Sequence, residues 1–277
     1  MCSSDLTYIS PNKWQAYISI AEGYKAGGFN TQLFSDILQN QMMSDMMNDM
    51  GVSFSQGGDY TVSEVITYKP ERCLNFEAGM SGSVSKNDVL FKGSATAFCL
   101  EVFNQQLTTF PEHGTGRLMT NAGHSRSLGA ELTAALQWKG LSLSAAYGYT
   151  YAFFTRYNNG KQDFSGKRVP YVPSNTLAAS AEYRFTFQHS FFHSLTLNVN
   201  TNAFGRIYWD ENNEYVQPFY ALLNANIILQ MKYVSLELWG KNLTQTRYDV
   251  FRFVSMGNTF LQSGRPLTFG GKIKIEI

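Results

Sequence analysis

From residue 13 onward, apolar and polar side chains alternate with a period of two along most of the chain, the spacing of strands with one dry face and one wet face. The segment LSLSAAYGYTYAF at 141–153 is the clearest case. Leu141, Leu143, Ala145, Tyr147, Tyr149, Tyr151 and Phe153 share one register, and only small residues stand between them. The alternation predicts ten strands, at 13–23, 72–84, 89–103, 120–137, 141–154, 176–187, 194–208, 219–230, 233–243 and 267–277. Trp14, Ala16, Ile18 and Ile20 make the apolar register of the first, Leu128, Leu132 and Leu136 that of the fourth, and Phe269, Ile273 and Ile275 that of the last. The opposite register collects the charges, among them Glu77, Lys92, Glu131, Glu182, Arg184, Glu237 and Lys272.

A soluble sandwich would alternate in the same way, so the connections decide. They run long and short in turn: 24–71, 85–88, 104–119, 139–140, 155–175, 188–193, 209–218, 231–232 and 244–266. Tight turns at one end and long loops at the other are the habit of an antiparallel transmembrane β-barrel, with its short turns periplasmic and its long loops extracellular. A tilted strand crosses a bilayer in about 9 to 11 residues, which these segments meet. The apolar registers would face lipid, where a Lys or Arg at mid-depth costs roughly 2–4 kcal/mol, and none of those named above contains one. Glu131, Glu182 and Arg184 would face the lumen, where a cross-strand ion-pair ladder would solvate the wall. An open ten-stranded sheet leaves its edge groups unsatisfied in hydrocarbon. Either further strands complete the barrel, or the ten close on themselves as a porin or a barrel enzyme.

Composition agrees with a surface covered partly by something other than water. Apolar residues reach 44% and aromatics 15%, while charged residues stop at 16%, against roughly 25% in soluble domains. The net charge of +1 supplies no field for nucleic acid. Cys2, Cys73 and Cys99 are too few and too far apart for a disulfide framework or a metal pair. Acid–histidine chemistry would need Glu112 with His113 or His124 at the rim, and His189 and His193 fall in a short turn where their spacing does not converge on a metal. No nucleophile elbow or phosphate loop occurs, so no enzyme, cofactor or metal is expected. In the long 24–71 link, Phe34, Leu38, Met42 and Met46 recur four apart, which predicts a short amphipathic helix. Phe29, Tyr157, Tyr171, Tyr208 and Trp209 stand at strand ends or in outer loops, where aromatic rings would meet a ligand or anchor the membrane interface.

YISIAEGYKAGGFN (17–30), YKPERCLNFEAGMSG (68–82), NAGHSRSLGAELTA (121–134), GKRVPYVPSNTLAASAEY (166–183), WGKNLTQTRYDVFRF (239–253) and GRPLTFGGKIKIEI (264–277) follow one another in an order that resembles the C-terminal barrel of TonB-dependent outer-membrane receptors. The resemblance covers 13–277 and leaves 1–12 as a non-native or poorly defined start. It departs from the family at Pro266-Leu267, where the family carries Pro-Arg, and at Ile277, where the family ends on an aromatic residue. The resemblance implies a 22-stranded barrel closed by an N-terminal plug, in the outer membrane of a Gram-negative bacterium. It implies uptake of an iron-siderophore, cobalamin or glycan, energised by the inner-membrane TonB complex through the plug. The chain would then be the C-terminal part of a longer receptor that lacks its plug.

Overall fold

The computed structural model describes residues 2–11, 14–31, 42–51, 67–109, 118–159, 162–188, 191–255 and 258–275. Eleven strands form one antiparallel sheet in strict sequence order. They are β1 (Cys2–Ile9), β2 (Trp14–Lys25), β3 (Glu71–Lys86), β4 (Val89–Phe103), β5 (His124–Trp138), β6 (Leu141–Arg156), β7 (Asn175–Thr186), β8 (Phe192–Phe204), β9 (Tyr220–Met231), β10 (Val234–Lys241) and β11 (Thr268–Ile275). The ten expected strands are all present, and β1 makes the count eleven rather than ten. Its opening residues Ser3, Ser4 and Asp5 hide its alternation in the sequence, yet pairing of Leu6 with Ile18 and Tyr8 with Ala16 places Leu6 and Tyr8 on the apolar face. Links of two to five residues join the strands at one end, and every long link lies at the other.

The predicted boundaries shift where a loop residue breaks the ladder. The expected strand 120–137 is interrupted at residues 122 and 123 and resumes as β5, and the expected 194–208 ends with β8 before the short strand Ile207–Tyr208. The long links carry strands of their own: Gly28–Phe29 pairs with Thr67–Tyr68, Gln106–Thr109 with Leu118–Asn121, Ile207–Tyr208 with Val216–Gln217, and Asp249–Ser255 with Asn258–Ser263. Of the expected helix, Phe34 and Leu38 lie outside the described residues, while 42–49 are helical.

Register sets the two faces of the sheet. The rung Ile20, Phe76, Cys99, Leu128, Tyr151 runs across five strands on one face. Further along, Leu143, Ala181, Val199 and Ala225 continue that face. Among the described residues nothing covers its large side chains: Ile18 is 60% exposed, Leu132 51% and Ile273 69%. Among the described residues no helix is long and apolar enough to cross a membrane.

The opposite face is polar and hydrogen-bonded. Ser94 and Thr133 hydroxyls meet at 2.6 Å, Ser144 and Ser180 at 2.7 Å. Tyr17 donates to Glu77 and lies 3.2 Å from the Thr96 hydroxyl. Glu131, Glu182 and Arg184 lie on this face, but the expected ion-pair ladder is absent among the described residues. Register explains why: Glu182 stands between Ser142 and Asn198, and Arg184 opposite Thr196. An amide ladder takes the place of ion pairs, with Asn224 donating to Asn200 at 2.9 Å, Asn200 to Asn198 at 3.2 Å and Asn198 to Glu182 at 3.4 Å. Arg184 donates to the Ser194 hydroxyl at 3.3 Å.

A sheet exposed on both faces has little core. The main buried cluster, Ala122, Ala152, Phe154, Tyr157, Phe164 and Val169, sits at the long-link end on the polar side of the sheet, where the 157–174 link folds back over β6.

Candidate functional site

The fold-back begins with an Asp163 turn, in which Asp163 Oδ1 accepts from the Ser165 amide at 2.9 Å and its hydroxyl at 2.6 Å. These two bonds, the side-chain one first, hold the Asp163 carboxyl below its ordinary pKa. Gly166, at φ +82°, reverses the chain, and bonds from Gly166 N to Phe154 O and from Val169 N to Ala152 O seat the segment on β6. Phe154 is thereby fully buried.

The chain then runs through Pro170, Tyr171, Val172 and Pro173. Tyr171 adopts φ +65°, a left-handed conformation that costs a bulky residue about 1–3 kcal/mol. Three neighbours hold it. Its amide donates to Tyr208 O at 2.8 Å, its ring stacks on Phe251 at 5.6 Å and 15°, and it meets Trp209 edge-on at 5.6 Å. Its hydroxyl donates to Arg252 O at 3.3 Å.

The next link is a hairpin that Asp210 organises by accepting from the amides of Glu214 and Tyr215 at 3.2 and 2.8 Å. Asn213, at φ +61°, ties this hairpin to the previous link: its Oδ1 accepts from Arg168 N at 2.7 Å and its Nδ2 donates to Arg168 O at 3.0 Å. These two links, the 249–263 hairpin and the edge of the 106–121 hairpin surround a cavity of about 450 Å³. That volume lies in the range of small-molecule sites.

Its wall combines aromatic surface from Tyr171, Trp209, Tyr215 and Phe253 with the charges of Arg252, Asp210 and Glu211. Burial pushes the Glu211 carboxyl above its ordinary pKa; the Tyr157 hydroxyl, donating to Glu211 Oε1 at 3.2 Å, offsets part of that rise, and the neighbouring Asp210 adds to it. Burial likewise pushes the Tyr157 phenol upward, reinforced by the Glu211 charge. Three side chains of the wall hold a buried polar atom with no hydrogen-bond partner among the described residues: Gln105 Oε1, Trp209 Nε1 and Arg252 Nε. Such atoms cost about 1–3 kcal/mol each, and a rearrangement that brings a polar ligand to them recovers that cost.

Of the aromatics singled out in the sequence, Tyr171 and Trp209 line this cavity. Tyr157 is outside the wall, 5% exposed, with its hydroxyl donating to Glu211. Tyr208 contributes its backbone carbonyl to Tyr171 but no side chain to the wall, and Phe29 projects from the Gly28–Phe29 strand, 69% exposed. Glu211, Tyr215 and Arg252 are not legible in the sequence, because their convergence depends on how two links stack. The Glu112 and His113 of the acid–histidine alternative lie outside the described residues, and His124 is engaged with Arg156 at 3.0 Å and with the Phe103 ring at 5.2 Å. His189 also lies outside them, and no cluster of three His, Cys, Asp or Glu side chains fit for a metal occurs among the described residues.

The family model described as TonB dependent receptor-like, beta-barrel matches residues 4–243. The pesticin receptor of Yersinia pestis is 21% identical over 275 residues, 97% of this chain and 35% of that protein. The pesticin receptor of Yersinia enterocolitica is 22% identical over the same extent. Among solved structures, the ferric yersiniabactin uptake receptor FyuA of Yersinia pestis superposes with a TM-score of 0.71 at 21% identity, covering 99% of this chain and 36% of that one. The ferric preacinetobactin receptor BauA of Acinetobacter baumannii gives 0.66 at 18%, covering 98% and 35%. The chain thus spans about a third of the length of the curated relatives it matches. Strand order, the alternation of short and long links and a match over most of the residues agree: the chain belongs to the TonB-dependent receptor-like β-barrel family.

Proposed function

We propose that the chain forms the C-terminal part of the barrel of an outer-membrane receptor that takes up an iron-siderophore with energy delivered by TonB. The observation that carries this reading is the aromatic-walled cavity at the long-link end, built around the left-handed Tyr171. A barrel of this family would turn that end outward. The ligand would be caught against Tyr171, Trp209 and Arg252, and released into the lumen when the plug, supplied by the rest of the receptor, is pulled from the periplasmic side. The polar inner face, with its hydroxyl and amide ladders, gives a wall along which a hydrated complex or a plug can slide without meeting apolar surface. Several structural relatives are named for ferric siderophores. The lumen charges Glu131, Glu182 and Arg184 are the candidates for plug contact. No step calls for bond-making chemistry by the barrel.

The test is uptake of radioactive iron by a siderophore-receptor-null strain expressing the complete receptor, with ferric yersiniabactin as the first probe and ferric preacinetobactin and ferripyoverdine after it. TonB-dependent uptake of at least one is expected. Tyr171→Ala or Trp209→Ala should weaken binding by about 2 kcal/mol, roughly thirtyfold. Uptake that persists in a TonB deletion, or that neither substitution alters, would sink the proposal.

A further inference from the structure

Five of the ten methionines of this chain stand within nine residues, in the sequence MMSDMMNDM at 42–50. Residues 42–49 are helical, and the helix is stopped by Gly51 at φ +73°, with Met50 N donating to the carbonyls of Met46 and Met47 at 3.3 and 3.1 Å. Helical spacing arranges the five in two adjoining rows, Met42–Met46–Met50 and Met43–Met47. Neighbours within a row have Cβ atoms about 5–6 Å apart, within joint reach of three-torsion side chains.

Among the described residues, packing does not account for four of the five. Met42 is 71% exposed, Met46 58%, Met50 61% and Met43 48%. A helix that only needed apolar bulk would be served as well by Leu, which also has a strong helix propensity. What methionine adds is a thioether, a neutral and polarisable donor that selects soft cations.

The sequence on either side of the helix favours a cation. Between 31 and 68 the chain carries Asp36, Asp45, Asp49, Asp59 and Glu64 and no Lys or Arg. Asp45 and Asp49 lie on the same short helix and are exposed. The same stretch holds no Cys and no His, so the donor set for zinc or a ferrous ion is absent from it.

We propose that the 42–50 helix binds a soft monovalent cation, Cu(I) or Ag(I), through the thioethers of its two methionine rows, with Asp45 and Asp49 compensating the charge. Thioether ligands select soft ions of this kind, and Met42, Met43 and Met46 bring three of them to about one turn of the helix. The site is separate from the aromatic cavity, and its chemistry differs from that of a siderophore, whose iron arrives already enclosed. It stands whether or not the uptake reading does.

The experiment uses the complete receptor in detergent with its thiols blocked by N-ethylmaleimide, because Cys2, Cys73 and Cys99 would compete for the same ions. Ag(I) is the probe, since it needs no reductant, and Cu(I) under reductant follows. Labelled methionine methyl resonances report directly on the sulfur atoms. The wild type should bind Ag(I) with shifts confined to the helix methionines. M42L/M43L/M46L/M47L/M50L, which keeps apolarity and helix propensity, should bind more than about tenfold more weakly. M42L/M46L/M50L, a milder change, should lie between them. Equal titrations of wild type and the five-Leu variant, as an apolar docking face would give, would overturn the site. So would Zn(II) binding as tight as that of Ag(I).

Discussion

Glu211 shows how a single residue makes the site responsive. Its carboxyl is buried against the Tyr157 hydroxyl with Asp210 alongside, and burial raises its pKa above the ordinary 4.5. An acid whose folded pKa is raised holds its proton more tightly in the folded state. Its contribution to stability is therefore complete below the ordinary value and lost as pH rises through the raised one. The 205–219 hairpin should loosen from acidic toward neutral pH. Hydrogen exchange of amides 207–217, corrected for intrinsic rates, would register this, and Glu211→Gln should flatten the dependence while keeping an acceptor for Tyr157. Tyr171 is the other residue whose conformation, rather than its identity alone, matters. The sequence places it among the ring-bearing loop residues, but its φ of +65° goes with the bond from its own amide to the Tyr208 carbonyl and with the Phe251 stack, which no local pattern reveals.

At the scale of elements, the 157–174 link behaves as a small hydrophobic unit attached to the end of β6. Tyr157 stacks on Phe164 at 5.1 Å and packs against Phe154 at 4.9 Å, so Phe154 anchors the link to its strand. Phe154→Ala should cost the link about 3–5 kcal/mol, the usual loss for a buried Phe. The strand ladders below should be spared, because their hydrogen bonds do not depend on that ring. Limited proteolysis would detect new cleavage within 157–174, and cleavage spread through β5 to β7 would show that the link is not a separate unit. Loss of the anchor should also displace Tyr171 and open the cavity, which ties ligand affinity to a residue that does not touch it.

For the molecule as a whole, the two sheet edges decide what it can do alone. Consecutive antiparallel pairing of eleven strands leaves β1 and β11 running in the same direction, each with no partner on its outer edge among the described residues. Self-closure would need a parallel seam, so an all-antiparallel barrel requires an odd number of further strands between the two edges. Eleven would complete 22, a known size for plugged outer-membrane transporters. Open edges in hydrocarbon leave backbone groups unsatisfied at several kcal/mol each. Cells expressing residues 1–277 alone should therefore take up no iron complex, and the isolated chain should show no heat-dependent shift in detergent gels, whereas both are expected of the complete receptor. Uptake by the isolated chain would contradict this account.

The sequence by itself determined the strands, their faces and their common polarity, because a period of two in 141–153 and its counterparts follows from the pleat and needs no partner to be read. It determined the end at which the long links gather, since link length alternates along the chain, and its ordered motifs pointed to the family. It did not resolve β1, whose Ser3, Ser4 and Asp5 mask the alternation until pairing with β2 fixes the register. Nor did it find the partners of Glu182 and Arg184, because cross-strand neighbours depend on register, and a shift of one position exchanges the faces. Only the tertiary structure assembled the cavity. Tyr171, Trp209, Glu211 and Arg252 come from three links, and residues far apart in the chain meet only when loops stack, an event governed by long-range packing and not by local periodicity.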